Sequence, residues 1–255
     1  MKVEVIGEGD PEYALVACVH GDETCGWHAF NRFKKRGFEV KKTIKLITAN
    51  ERAFRLGKRY CDSDLNRSFP GSLESEKYEE RLAVKLKKEL EGLKILDIHS
   101  SESEGCPFAI TVGQSSEKIE LARSTGLEKV VDMSFVEGGL TQDLEGVVVE
   151  CGYKDDQNAA KMAFDIIKNF LAVEGVIDLD EEYGSSDPEI YDVYDKQEGK
   201  NFEFVAENFK PVNKGKVFAE KPGEALRAKE KFYPVLMSTD GYDDMIGFKA
   251  KKSDI

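Results

Sequence analysis

The chain has 255 residues, 40% of them hydrophobic and 34% charged, with a formal net charge of -12. That length can bury a core for one large domain or for a medium domain plus a small one, and a surplus of negative charge repels phosphate backbones, which disfavours nucleic acid as a partner. No apolar run approaches the ~18 residues of a membrane span, and Met1-Lys-Val-Glu-Val5 lacks the apolar core of a signal peptide, so the expectation is a soluble cytoplasmic protein that acts away from membranes.

In chain order, short β-rich apolar runs alternate with amphipathic segments up to about residue 173, the pattern of an α/β fold. Strands are expected at Ala14–His20, Lys45–Ala49, Lys94–His99, Phe108–Val112 and Gly146–Cys151. Between them, Thr24–Lys35 reads as a helix, Glu74–Leu90 carries Leu82, Leu86 and Leu90 at helical spacing, and Asp155–Leu171 sets Ala159, Met162, Ala163, Ile166, Ile167 and Phe170 on one face. These are core faces. Around Glu174–Glu198 the composition turns acidic and turn-prone, and helical periodicity disappears. Beyond it, Phe202–Glu207, Lys216–Glu220, Tyr233–Ser238 and Ile246–Lys251 read as short antiparallel strands. The expected organisation is therefore a mostly parallel, mixed sheet flanked by helices over residues 1–174, an acidic linker over 175–200, and a small β-rich C-terminal domain over 201–255.

The segment Leu15-Val-Ala-Cys-Val-His20-Gly-Asp-Glu23 ends an apolar strand in a histidine, a glycine and two carboxylates. Open α/β sheets bind ligands at the carboxyl ends of their strands. A tight turn at Gly21 lets Glu23 fold back onto the imidazole, and imidazole plus carboxylate is a natural Zn²⁺ donor set. A second strand, Ile95-Leu-Asp-Ile-His99, also ends in histidine, so two of the chain's three histidines sit at strand ends. A lone histidine after a strand is usually just a polar end residue. The set His20, Glu23 and His99 is different, because it would leave one position open for water or substrate, as in a catalytic zinc site. Asp97, on the same side of its strand as His99, is placed to orient that imidazole. His28 reads as a surface histidine of the first helix.

Two further segments carry chemistry. Asn50 to Pro70 is a long irregular stretch rich in arginines and acids, and such loops after strands often carry function. Arginine there offers a planar fork for a carboxylate or a fixed charge for a polarised carbonyl; the bland alternative is a solvated face. In Gly146-Val-Val-Val-Glu150-Cys-Gly152 an acid ends an apolar strand, a costly position unless it is paired, hydrated or close to a metal. Beside an open zinc position it could take a proton from water and hand it to a leaving nitrogen. The five cysteines, Cys18, Cys25, Cys61, Cys106 and Cys151, show neither disulfide nor CxxC spacing and are read as reduced thiols.

His20-Gly-Asp-Glu23, the run Asn50…Arg59-Tyr60…Asp62-Ser-Asp64-Leu-Asn66-Arg67…Phe69, Asp97-Ile-His99 and Val149-Glu150-Cys-Gly152 together resemble the succinylglutamate desuccinylase/aspartoacylase family, relatives of zinc carboxypeptidases. The resemblance implies a zinc carboxypeptidase-like fold holding one Zn²⁺ per chain on His20, Glu23 and His99. It implies Glu150 as general base and then acid, Arg59 as stabiliser of the oxyanion, and Asn66 and Arg67 as the grip on a substrate carboxylate. Tyr242, in a C-terminal region that also resembles the family's, would reach the pocket. Aspartoacylases carry a further arginine shortly before the strand of the catalytic glutamate. Gly138-Gly-Leu-Thr-Gln-Asp-Leu-Glu145 has no Lys or Arg. The expected activity is therefore zinc-dependent cleavage of the amide bond of an N-acyl amino acid other than N-acetylaspartate, or of a related small amide. Alternatives are a metallocarboxypeptidase of short peptides and a catalytically silent zinc- or small-molecule-binding protein. A Cys–His nucleophile has no recognisable context. Assembly as a homo-oligomer is left open.

Overall fold

The computed structural model describes residues 1–101, 105–154, 156–239 and 244–253. The amino-terminal strand β1 (Lys2–Ile6) is followed by β2 (Tyr13–Ala17), helix α1 (Cys25–Arg36), β3 (Ile44–Thr48), the short helix α2 (Glu51–Leu56) and a 3-10 turn at Leu65–Arg67. Next come α3 (Tyr78–Leu90), β4 (Lys94–Ser101), β5 (Phe108–Thr111), α4 (Ser116–Ser124), β6 (Lys129–Asp132), β7 (Gly146–Tyr153) and α5 (Ala159–Val173). The C-terminal third holds β8 (Glu189–Glu198), β9 (Glu203–Phe204), β10 (Val217–Lys221), β11 (Glu224–Arg227), β12 (Tyr233–Val235) and β13 (Met245–Lys252).

The strands build a ten-stranded sheet in the order β1-β3-β2-β4-β7-β5-β6-β8-β13-β12 and a separate three-stranded sheet β11-β10-β9. The run β3-β2-β4-β7 is parallel, so the carboxyl ends of β2, β4 and β7 open on one edge, while β5 runs antiparallel to β7. The expected mostly parallel, mixed sheet flanked by helices is what the chain forms.

Alternation along the central strands sorts side chains between two layers. Leu15 and Ala17 of β2, Leu96 and Ile98 of β4, and Val147, Val149 and Cys151 of β7 pack with Phe30 and Phe33 of α1 and Phe164, Ile167 and Phe170 of α5. Ala14, Val16 and Ile95 face the other way, onto Leu82, Leu86 and Leu90 of α3. Each of these fully buried leucines contributes about 1.5–3 kcal/mol over exposure. Helix α1 lies close to the sheet because Gly26 has no side chain: a Cβ there would stand 2.7 Å from the Ala17 Cβ and 3.1 Å from Ile98 Cγ2. Period 2 then puts Asp97, His99 and Glu150 on the face opposite α1 and α5.

The segment 175–200, expected as a linker, contains a strand of the large sheet. Strand β8 pairs parallel with β6 and antiparallel with β13, so the sheet runs through the expected boundary. Ile190, Tyr191 and Val193 are buried there, but the carboxylates interspersed along the strand conceal the run. The C-terminal β-rich part is present, with its own apolar cluster around Phe202, Phe218, Phe232 and Ile246, although β12 and β13 extend the main sheet.

Candidate metal centre

Strand β2 stops at Ala17, and Cys18 takes a left-handed backbone with φ of 56°, which turns the chain out of the sheet. The turn closes with the Glu23 amide donating to the His20 carbonyl at 3.2 Å. Gly21 is required by crowding: a Cβ would lie 2.3 Å from the backbone of Ala53 and Phe54 and 2.5 Å from the Lys58 carbonyl oxygen. Its amide donates to the Arg59 carbonyl at 3.0 Å, so the His20 turn is fastened to the long loop after α2.

These constraints bring the three expected ligands together. His20 Nδ1 is 2.8 Å from Glu23 Oε1, and His99 Nδ1 is 2.8 Å from Glu23 Oε2. All three side chains are buried, and one potential ligand atom from each falls within 4.8 Å of the others. Among the described residues, this is the group of histidine, cysteine and acidic side chains that could hold a metal ion.

The far nitrogens of both rings are held by carboxylates. His99 Nε2 is 3.0 Å from Asp97 Oδ2, as expected, and His20 Nε2 is 3.1 Å from Asp64 Oδ1. A carboxylate on the outer nitrogen fixes ring orientation and leaves the inner nitrogen for a ligand. Sequence reasoning did not single out Asp64 for this role, because 44 residues separate it from His20 and no spacing rule joins the two. Burial pushes the Glu23 carboxyl up, but the imidazoles of His20 and His99 more than reverse this and hold it well below the usual range. In return, Asp97 and Glu23 outweigh burial at His99 and raise its pKa well above the ordinary value, and Glu23 and Asp64 do the same, less strongly, for His20.

Glu150 stands beside this group. It is the register partner of His99 across β4 and β7, so the two side chains share a face. One of its oxygens, Oε2, is buried without a hydrogen-bond partner. Burial pushes the Glu150 carboxyl up to about 7, with Glu23 adding to the shift and His99, His20 and Arg59 opposing it. Arg59 reaches the site from the loop, donating to Glu23 Oε1 at 2.9 Å and lying 3.5 Å from Asp64 Oδ2.

Asn66 and Arg67 form the 3-10 turn that Asp64 caps, its carboxylate accepting from the Asn66 amide at 2.8 Å. Asn66 Oδ1 is buried and unpartnered, and Arg67 is exposed. The cation-free loop passes against them: a Cβ on Gly138 would come within 3.1 Å of the Asn66 carbonyl oxygen. Tyr242 lies outside the described residues. The C-terminal part nevertheless meets Glu150, since Phe209 and Leu236 line a small cavity with Glu150, Ser101 and Phe108. His28 is exposed on α1. A thiol nucleophile gains no support: burial pushes the Cys18 thiol up, and at Cys151 a hydrogen bond with Cys25 does so together with burial.

The sequence model for the succinylglutamate desuccinylase/aspartoacylase catalytic domain matches residues 10–143, more than half of the chain. The chain belongs to this family. That matched span includes His20, Glu23, Arg59, Asn66, Arg67 and His99. No curated protein matches the chain in sequence. Among solved structures it resembles a succinylglutamate desuccinylase/aspartoacylase from Rhodobacter sphaeroides, with 18% identity, coverage of 99% of this chain and 89% of that one, and a TM-score of 0.80. The ectoine utilization protein EutE (DoeB) from Ruegeria pomeroyi follows at 21% identity, 98% and 87% coverage and a TM-score of 0.77. Murine aminoacylase 3 is 17% identical over 96% of this chain and 97% of its own, with a TM-score of 0.73. At these identities the likeness to solved structures establishes the family fold.

Proposed function

We propose that this family member is a zinc-dependent hydrolase that cleaves the amide bond of an N-acyl amino acid or a related small amide. The observation that carries the reading is the buried His20–Glu23–His99 group, with each imidazole tied outward to a carboxylate and Glu150, whose buried Oε2 has no hydrogen-bond partner, alongside. The donor set fits Zn²⁺: two imidazole nitrogens and a carboxylate, with room for a further partner. His20 and His99 through Nδ1, and Glu23, would hold the ion, which when bound supplies Lewis acidity towards water and an amide carbonyl.

The chain's own groups account for the rest. Glu150 takes the proton of the attacking water and returns it to the leaving nitrogen. Arg59 offers fixed positive charge to the oxygen of the tetrahedral intermediate. Asn66 and Arg67 bind the carboxylate of the amino acid, with the guanidinium presenting a planar fork to it. Tyr242 is assigned to the same pocket on resemblance alone. The loop at Gly138–Glu145 brings no cation to the substrate side chain, which favours substrates with an uncharged side chain. The partner is a small metabolite encountered in the cytoplasm; no helix among the described residues is long and apolar enough to cross a membrane.

The test is a panel of N-acyl amino acids and short peptides offered to protein stripped with a chelator and then reloaded with zinc. Zinc-dependent release of the free amino acid from the acylated substrates supports the reading. Zinc-dependent cleavage of peptides alone would replace it with a carboxypeptidase, and zinc binding without turnover of either class would leave a binding protein.

A further inference from the structure

The loop that delivers Arg59 and Asp64 to the metal centre has no regular structure of its own: residues 57–64 are turns and bends between α2 and the 3-10 turn. Such a segment keeps its place only if something gathers its backbone. The gathering group is Glu79, the second residue of α3, whose side chain is fully buried. Its Oε1 accepts the Cys61 amide at 2.6 Å and the Asn50 side-chain amide at 3.0 Å, and its Oε2 accepts the amides of Asp62 at 2.9 Å and Ser63 at 3.1 Å. Asp62 answers by accepting the Tyr78 amide at the start of α3 at 2.8 Å, where a negative charge is also favoured by the helix dipole. Burial pushes the Glu79 carboxyl up, but the donors of Cys61, Asn50, Asp62 and Ser63 more than offset this and keep it below its usual value.

We infer that Glu79 is a positioning residue for the metal centre: by holding the amides of residues 61–63 it fixes Arg59 on Glu23 and Asp64 on His20, so the ring orientation of His20 depends on a carboxylate of α3. The inference rests on the zinc hydrolase reading above. The three captured amides sit between Arg59, two residues before them, and Asp64, one residue after. The Arg59 carbonyl in turn holds Gly21 in the turn that carries His20, so a displacement of the loop reaches His20 from both sides. Every contact of Glu79 comes from a donor. A glutamine keeps the shape but must turn an NH₂ group towards one pair of those donors, leaving them unsatisfied.

The test compares Glu79→Gln with the native chain and with Glu80→Gln, its neighbour bonded to Lys77 outside the site. The readouts are zinc affinity by competition with a chromophoric chelator, the kcat and KM of hydrolysis, and thermal unfolding. Loss of an oriented outer carboxylate typically costs about 10–100-fold in metal affinity, so Glu79→Gln is expected to bind zinc that much more weakly and to lose kcat more than KM, while Glu80→Gln matches the native chain. A Glu79→Gln protein that melts lower but retains native zinc affinity and kcat would overturn the inference. Hydrogen exchange on the native chain gives a second test should the variant not fold: the amides of Cys61, Asp62 and Ser63 are expected to exchange slowly although they lie outside helices and strands, and rapid exchange would contradict their capture. Failure of the native chain itself to bind zinc would refute the underlying reading instead, so the two failures are distinguishable.

Discussion

His99 and Glu150 are register partners across adjacent parallel strands: both ring nitrogens of His99 meet carboxylates, those of Glu23 and Asp97, while Glu150 Oε2 is buried with no hydrogen-bond partner. In the proposed mechanism His99 is held as a ligand and Glu150 acts as the base. Glu150→Gln should therefore lower kcat by about 10²–10⁴-fold, the usual range for loss of a general base, while zinc binding and the melting temperature change little. Near-native turnover by this variant would remove Glu150 from the mechanism.

The acid limb of the rate profile follows from the same residue. Burial lifts the Glu150 carboxyl to about 7 in the metal-free chain, and a base works only when ionised, so kcat/KM should fall as pH drops through the pKa. A divalent cation favours the carboxylate, so in the zinc-loaded protein the limb should lie below about 7. Activity that rises towards acid pH would reverse the sign.

Zinc uptake should release protons. In the metal-free chain, Asp97 and Glu23 raise His99, and Glu23 and Asp64 raise His20, so both rings favour the protonated form that a metal must displace. Apparent zinc affinity is expected to weaken as pH falls, and calorimetry in buffers of different ionisation enthalpy should report proton release. A zinc affinity that does not weaken as pH falls below neutrality would contradict the assignment of the imidazoles as ligands.

Asp97→Asn and Asp64→Asn test the outer carboxylates separately. Each should weaken zinc binding by about 10–100-fold. If Asp64→Asn had no effect while Asp97→Asn did, His20 would not depend on its outer partner.

Much of this was readable in the sequence, and the unread parts share a cause. The buried strands β2, β4 and β7 announce themselves by continuous apolar runs, and His20, His99 and Glu150 are conspicuous because each interrupts or ends one. The site residues Asp64 and Glu79 are not conspicuous. They are acids among many acids, and their importance comes from contacts with His20, 44 residues away, and with the 61–63 loop. Strand β8 escaped for a related reason, since Asp192 and Asp195 break up the apolar signal of Ile190, Tyr191 and Val193. The strand β1 and the short elements α2, α4 and β6 were likewise not expected, being too brief or too polar for periodicity to register.

Arg59→Ala and Arg67→Ala should separate chemistry from binding. Arg59 donates to Oε1 of Glu23, a proposed metal ligand, at 2.9 Å, and its loss is expected to lower kcat by about 10²–10³-fold, the scale for one oxyanion donor. Arg67, exposed beside Asn66, should raise KM with a smaller change in kcat. The opposite pattern would exchange their roles.

The most direct measurement is zinc titration of the chelator-stripped chain, alone and as the His20→Ala/His99→Ala variant, followed by calorimetry. The account predicts one tightly bound zinc per native chain and none at that affinity in the variant. Equal binding by both proteins, or none by the native chain, would contradict a zinc centre built on His20, Glu23 and His99.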